Sequence, residues 1–218
     1  MSECRRASVF LSVAMIGVLT LGGCSVNKPS DKAIAIYDFG SDRAGDKQAM
    51  SAAPNADRRL TDRMALEVRA VTWLDNPGID YRLTYSTPLR RSQYVDSRWA
   101  APPAQLLAQQ LRRSTGLVAV DRMAADCLLR IELREFSQVF TSPQTSHGVL
   151  SGQAELIDGQ RRLIVSRPID VEHPAPAPDA AGGVQALVAT GSELGGQLIA
   201  WLDQLDRQGA LKACRPVR

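Results

Sequence analysis

Histidine is almost missing from this sequence: His147 and His173 are the only two in 218 residues. His147 follows the turn-rich stretch Thr141–Ser146 and His173 precedes a proline-rich loop, so both read as solvent-facing rather than as partners of a nucleophile. Cysteine is scarce as well, at four. None of the four stands in Cys-x-x-Cys spacing, which, with two isolated histidines, argues against a zinc site. The Gly-x-Ser-x-Gly elbow, the P-loop and His-Glu-x-x-His are all lacking. No catalytic, cofactor or metal residue is therefore assigned, and the chain reads as a non-enzyme. A formal net charge of +3, with no basic block, gives no footprint for nucleic acid. There is no internal repeat and no long single-sign tail. The leading apolar run, Ala7–Leu21, has 15 residues, short of the ~20 that a membrane-spanning helix needs.

What the N-terminus does hold is an export pattern. Arg5 and Arg6 precede the apolar run, and Leu21-Gly22-Gly23-Cys24 closes it before the polar Ser25-Val26-Asn27-Lys28. A basic start, an apolar stretch and a small-residue cleavage site describe a secretory signal. Leu21 is a poor −3 residue for the ordinary signal peptidase, whereas Leu-Gly-Gly-Cys resembles the bacterial lipobox. That resemblance implies a diacylglyceryl group on the Cys24 thiol, cleavage before Cys24, and acylation (palmitate) of the freed amine. Two or three acyl chains anchor stably where one does not. Residues 1–23 are thus expected to be removed and 24–32 to form a lipidated tether. Ser25 is not the Asp that retains many lipoproteins in the inner membrane. This points to the periplasmic face of the outer membrane in a Gram-negative cell.

The remaining 195 residues suit one domain, at 33–206, followed by a polar tail at 207–218. With Cys24 lipidated, Cys127 and Cys214 are the one pair left in a compartment that permits disulfides. Either they bridge, or Cys127 is a buried thiol and Cys214 an idle one, because distance cannot be read from sequence. Ala33–Gly40 alternates as a strand does, and Ser41–Arg59 reads as a loop. Met64–Thr72 and Ile79–Tyr85 are strand-like around the turn Asp75-Asn76-Pro77-Gly78. Pro102 and Pro103 open a helix with Leu106, Leu107 and Leu111 on one face and Gly116 as its stop. Leu117–Asp121 is a short strand. Cys127–Phe136, Gly148–Ile157 and Arg161–Val171 form an antiparallel meander, with Asp158-Gly159 as a type I′ hairpin turn. Cys127, Leu129, Ile131 and Leu133 alternate with Leu128, Arg130, Glu132 and Arg134, as in a half-buried strand. After a proline-rich loop, Val184–Leu205 carries apolar residues at helical spacing. Gly191-xxx-Gly195 on that helix is expected to let it lie close to the sheet.

Val71–Pro103 holds two of the three tryptophans and three of the four tyrosines. Trp73, Tyr81 and Trp99, beside alternating strand positions, are expected to bury. Trp73, Leu74, Ile79, Tyr81, Arg82, Tyr94, Arg98, Trp99, Ala100 and Pro102, in that order and spacing, resemble a known family. It is the auxiliary lipoproteins of ABC-type transport systems, of the YmbA or PqiC kind, which accompany transporters with MCE domains. The likeness covers nearly all of the mature chain.

The resemblance implies an α/β (α+β) single domain, a mixed, largely antiparallel sheet with two main helices packed on it, akin to the anticodon-binding-domain or TolB N-terminal arrangement. It further implies a non-catalytic, membrane-tethered subunit of a system moving lipid or other hydrophobic molecules across the envelope. Its partners would be the membrane through Cys24, a periplasmic MCE-domain protein, and lipid; self-association stays open. Tyr85–Trp99 reads as a loop because of Pro88, Arg90, Arg91 and Gln93, and Arg90, Arg91 and Gln93 either contact a partner or belong to a solvated basic loop. Trp73, Tyr81, Arg82, Tyr94, Arg98 and Trp99 are read as mainly structural. Two other classes stay open. A structural or assembly lipoprotein of the outer membrane would share the anchor and the lack of motifs. A lipid-anchored enzyme would need an acid/base pair that converges only in three dimensions.

Overall fold

The computed structural model describes residues 33–40, 63–120 and 125–214. The export signal, Cys24, the tether to Lys32, the Ser41–Arg59 loop and Asp121 lie outside the described residues.

The sheet is organised on one long strand, β6 (Cys127–Ser142). Its first half alternates as the sequence predicts, with Cys127, Leu129, Ile131 and Leu133 buried. At Arg134 the pairing slips by one residue, and the buried set changes parity to Phe136, Gln138 and Phe140. A one-residue bulge exchanges the two faces of a strand, so this switch follows from the pleat. Opposite the bulge, a Cβ on Gly152 would stand 2.1 Å from the Glu132 carbonyl oxygen, which excludes any side chain there.

Along one edge of β6 run β7 (Thr145–Asp158) and β8 (Leu163–Pro174), both antiparallel to their neighbours. Two strands share the other edge end to end. β2 (Met64–Ala70) is parallel to the first half of β6 and β3 (Gly78–Leu83) to the second, joined through a 3-10 turn at Thr72–Leu74. β4 (Arg91–Trp99) returns antiparallel to β3, and β1 (Ala35–Tyr37) lies parallel to Ser97–Trp99. β5 (Val118–Ala119) is parallel to the start of β2. The result is a mixed sheet of eight strands among the described residues.

Two helices cover one face. α1 (Pro103–Thr115) has proline in its first turn, where no hydrogen bond is lost, and ends at Gly116 with φ 76°. α2 (Ala180–Arg207) is capped by the Asp179 carboxylate, which accepts from the Gly182 N–H at 2.7 Å. α2 packs on β6, β7 and β8, α1 packs on β2, and the helices pack on each other. Gly191 and Gly195 face Leu107, Gln110, Leu111 and Ser114 of α1. The small-residue pair therefore serves the helix–helix crossing and not, as expected, the approach to the sheet.

Three loop assignments are corrected. Tyr85–Trp99 is not a loop: its larger part is β4. The turn after β6 is confined to Pro143 and Gln144. The β7–β8 connection is longer than a two-residue type I′ turn, because the Asp158 carboxylate accepts from the N–H groups of Gln160 and Arg162 at 2.9 and 2.8 Å. Arg161, not Gly159, takes the positive φ, of 64°. The C-terminal segment is also more than a polar tail as far as Cys214, since Ala210–Cys214 forms a 3-10 turn with Leu211 and Cys214 buried.

Candidate functional site

On the face of the sheet away from the helices, arginines and carboxylates pair across strands. Glu67 on β2 accepts from Arg130 Nε on β6 at 2.8 Å and from Arg69 at 2.7 Å. Burial pushes the Glu67 carboxyl up, but the bonds from Arg130 and Arg69 together outweigh it and leave the group below its ordinary range. A carboxyl lowered on folding stabilises fully above the unfolded pKa, and that contribution is lost as pH falls through the folded value. Glu67→Gln is therefore expected to flatten the acid limb of the stability curve, read from urea melts at neutral and acid pH. An unchanged acid limb would show that these pairs contribute nothing.

A second cluster joins β3, β4 and β6. Asp80, 2% exposed, accepts from Arg91 at 2.5 Å and from Gln93 Nε2 at 2.9 Å. Glu135 accepts from Arg91 at 2.9 Å and from Arg82 at 3.1 Å. Gln93 also reaches Asn76 Oδ1 at 3.0 Å. Of the three residues expected to meet a partner, Arg91 and Gln93 are thus committed to the protein's own acids, and Arg90 is exposed in the turn before β4. Arg82 belongs to the same cluster, consistent with a structural role. Arg98 is exposed.

Under the helices, Tyr94 donates to Gln138 Oε1 at 2.8 Å, and Gln138 Nε2 donates to Ser146 Oγ at 2.8 Å. The rings of Tyr81 and Tyr94 lie 4.8 Å apart. Burial first, then Tyr81 and Asp179, raises the Tyr94 hydroxyl well above its ordinary range, so it remains a donor. Trp99 is 1% exposed and meets the rings of Phe39 and Phe136 at 5.2 and 5.8 Å.

Trp73 departs from the expectation of burial: it is 58% exposed. The turn that carries it is well held. Leu74 enters the core, its N–H donating to the Val71 carbonyl at 2.9 Å. Asn76 donates to the Trp73 carbonyl at 2.8 Å and accepts from the Gly78 N–H at 2.8 Å. Leu74 takes the inward position, so the indole points out.

Cys127, at the start of β6, is bonded to Cys214 in the C-terminal turn, closing a sequence separation of 87. His147 is half-buried, and His173 on β8 lies 2.8 Å from Glu193 on α2. A groove of about 500 Å³ beside β2 and β6 is lined in part by Glu67, Arg69, Asp126, Arg130 and Arg161. Its charges are largely spent, because Glu67 is paired with Arg130 and Asp126 with Arg63. Among the described residues, no three His, Cys, Asp or Glu side chains converge as metal ligands, and no helix is long and apolar enough to cross a membrane.

Sequence reasoning missed the Asp80–Arg91–Glu135 cluster. The signal available was the alternation of Asp80 with Arg82 and of Arg91 with Gln93, which places each pair on one strand face.

These features define an α+β domain whose polar sheet face is cross-linked by its own ion pairs and whose well-held turn presents one tryptophan to solvent. The chain belongs to the ABC-type transport auxiliary lipoprotein component family, whose family model matches residues 47–198. It is accordingly an auxiliary lipoprotein, a membrane-anchored protein of the cell envelope. Its fold is similar to that of protein XCC0632 from Xanthomonas campestris, with 23% identity, a TM-score of 0.58, and 67% of this chain and 88% of that one covered. An uncharacterized protein is similar at 16% identity and a TM-score of 0.57, covering 78% of this chain and 99% of that one. No curated protein matches the sequence.

Proposed function

We propose that this domain is the docking subunit of an MCE-type lipid transport system. In this reading, lipid on Cys24 holds it at the periplasmic face of the outer membrane, and it turns nothing over. The observation that carries the docking role is Trp73, a largely exposed tryptophan on a braced turn. Tryptophan is enriched among the few residues that dominate binding energy at protein interfaces, and a braced backbone lowers the entropy lost on docking. The family supplies the transport setting. A binding role also fits Asp80 and Glu135, acids engaged with Arg91 and Arg82.

The test is recovery of partners from detergent-solubilised envelope with the tagged lipoprotein, comparing wild type, Trp73→Ala and Arg90→Glu. Trp73→Ala is expected to leave the melting curve nearly unchanged, within about 0.5 kcal/mol. It should weaken capture of the MCE-domain protein by about 2 kcal/mol, roughly thirtyfold. Arg91 is left intact because charge reversal there strips buried Asp80 of its partner. No MCE-domain protein on the wild-type bait would sink the transport reading. Undiminished capture by Trp73→Ala would remove only this turn as the contact.

A further inference from the structure

The β3–β4 hairpin, Thr84–Arg90, has an exposure pattern that docking through Trp73 does not use. Leu89 is 96% exposed and Tyr85 47% exposed, yet the turn that displays them is pinned. Thr84 donates to the Phe140 carbonyl of β6 through its N–H at 3.0 Å and its hydroxyl at 2.7 Å. Thr87 N–H bonds the Leu83 carbonyl at 2.8 Å, and Arg90 N–H bonds the Thr87 carbonyl at 3.0 Å. Arg90 is exposed beside Leu89, and Thr84–Arg90 contains no acidic residue. The neighbouring β6–β7 turn, at the same end of the sheet, has none in Thr141–Ser146 either.

β1 is entered from this same end of the sheet. β1 is parallel to β4 and pairs with its last three residues, Ser97–Trp99. A parallel strand starts at the end where its neighbour starts, so the chain enters β1 from the side of Arg91 and the hairpin. Cys24 is eleven residues before Ala35, a reach of at most about 36–40 Å. Within the domain, Ser97 and Arg91 stand about 20 Å apart along β4, less than that reach.

We infer that the hairpin tip is a membrane contact, with Leu89 and Tyr85 seated among the headgroups of an anionic phospholipid surface and Arg90 paired to its phosphates. The inference rests on reading Cys24 as the anchor. Tyrosine and an apolar side chain beside an arginine suit the interface between acyl chains and headgroups. Trp73 lies at the opposite end of β3, about 20 Å away. The contact would therefore hold the docking turn away from the bilayer.

The experiment uses the lipidated chain in vesicles of phosphatidylethanolamine and phosphatidylglycerol. With Cys24 acylated and Cys127 bonded to Cys214, Leu89→Cys introduces one free thiol into the mature chain for an environment-sensitive fluorophore. The label is expected to shift to the blue and to lose most of its emission to spin-labelled lipids. A label at Thr72→Cys, beside the exposed Trp73, should do neither. An unshifted, unquenched label at position 89 on vesicle-bound protein would overturn the tip contact and leave the anchor standing. Equal quenching at both positions would also overturn it. Vesicle binding by Cys24→Ser protein lacking residues 1–23, equal to that of the lipidated chain, would instead remove the anchor, and this orientation with it.

Discussion

Cys127→Ala/Cys214→Ala should lower the stability of the domain by roughly 4–5 kcal/mol, the loop-closure entropy that a bridge of this span removes from the unfolded chain. For a domain of this size that is a fall of roughly 10–15 °C in the melting midpoint. The bond joins the first residue of β6 to the last turn among the described residues, in which Leu211 is also buried. The final turn should therefore loosen first, and limited proteolysis should cut near Ala210 in the variant but not in wild type. Thermal melts with and without reductant give the magnitude, and alkylation mass spectrometry gives the state of the thiols. Two freely alkylated cysteines in unreduced protein from an oxidising compartment would reject the bridge.

Trp99→Ala should cost about 3–5 kcal/mol, the range for deleting a large aromatic from a packed core. Trp99 ends β4 opposite Tyr37 of β1. It contacts Phe39 edge-on and Phe136 of β6, so its loss opens a cavity against both rings. Its indole N–H has no hydrogen-bond partner in the core, so Trp99→Phe should cost much less, volume being the main loss. Urea denaturation of both variants separates the two effects. If the phenylalanine variant fell as far as the alanine one, the N–H would be in use and the packing account would be wrong. Trp73→Ala, on the exposed turn, is the internal control, with little expected change.

The contrast between these two tryptophans marks where the sequence could be read. Alternation from Cys127 to Leu133 predicted a half-buried strand, and Gly116 predicted a helix end, because each signal lies within a few residues of what it controls. Trp73 and Trp99 are equally apolar, and only the three-dimensional path of Thr72–Leu74, with Leu74 turned inward, decides which of them buries. β4 was hidden for a related reason. Arg91 and Gln93 look like loop residues until Asp80 and Glu135 stand opposite them, and Glu135 is 44 positions away. The Asp158-Gly159 pair suggested a tight turn by its backbone preference, but the Asp158 side chain captured two later N–H groups and lengthened the connection. Local chemistry was legible, and pairing at a distance was not.

The docking claim is tested most directly by placing a photo-crosslinking amino acid at Trp73 in the lipoprotein expressed at native level, irradiating intact cells, and identifying the products by mass spectrometry. A second probe at Leu163, exposed on β8, controls for chance encounters. The expected result is a product with an MCE-domain protein from position 73 and not from position 163. Products from position 73 that contain no MCE-domain protein would contradict the account.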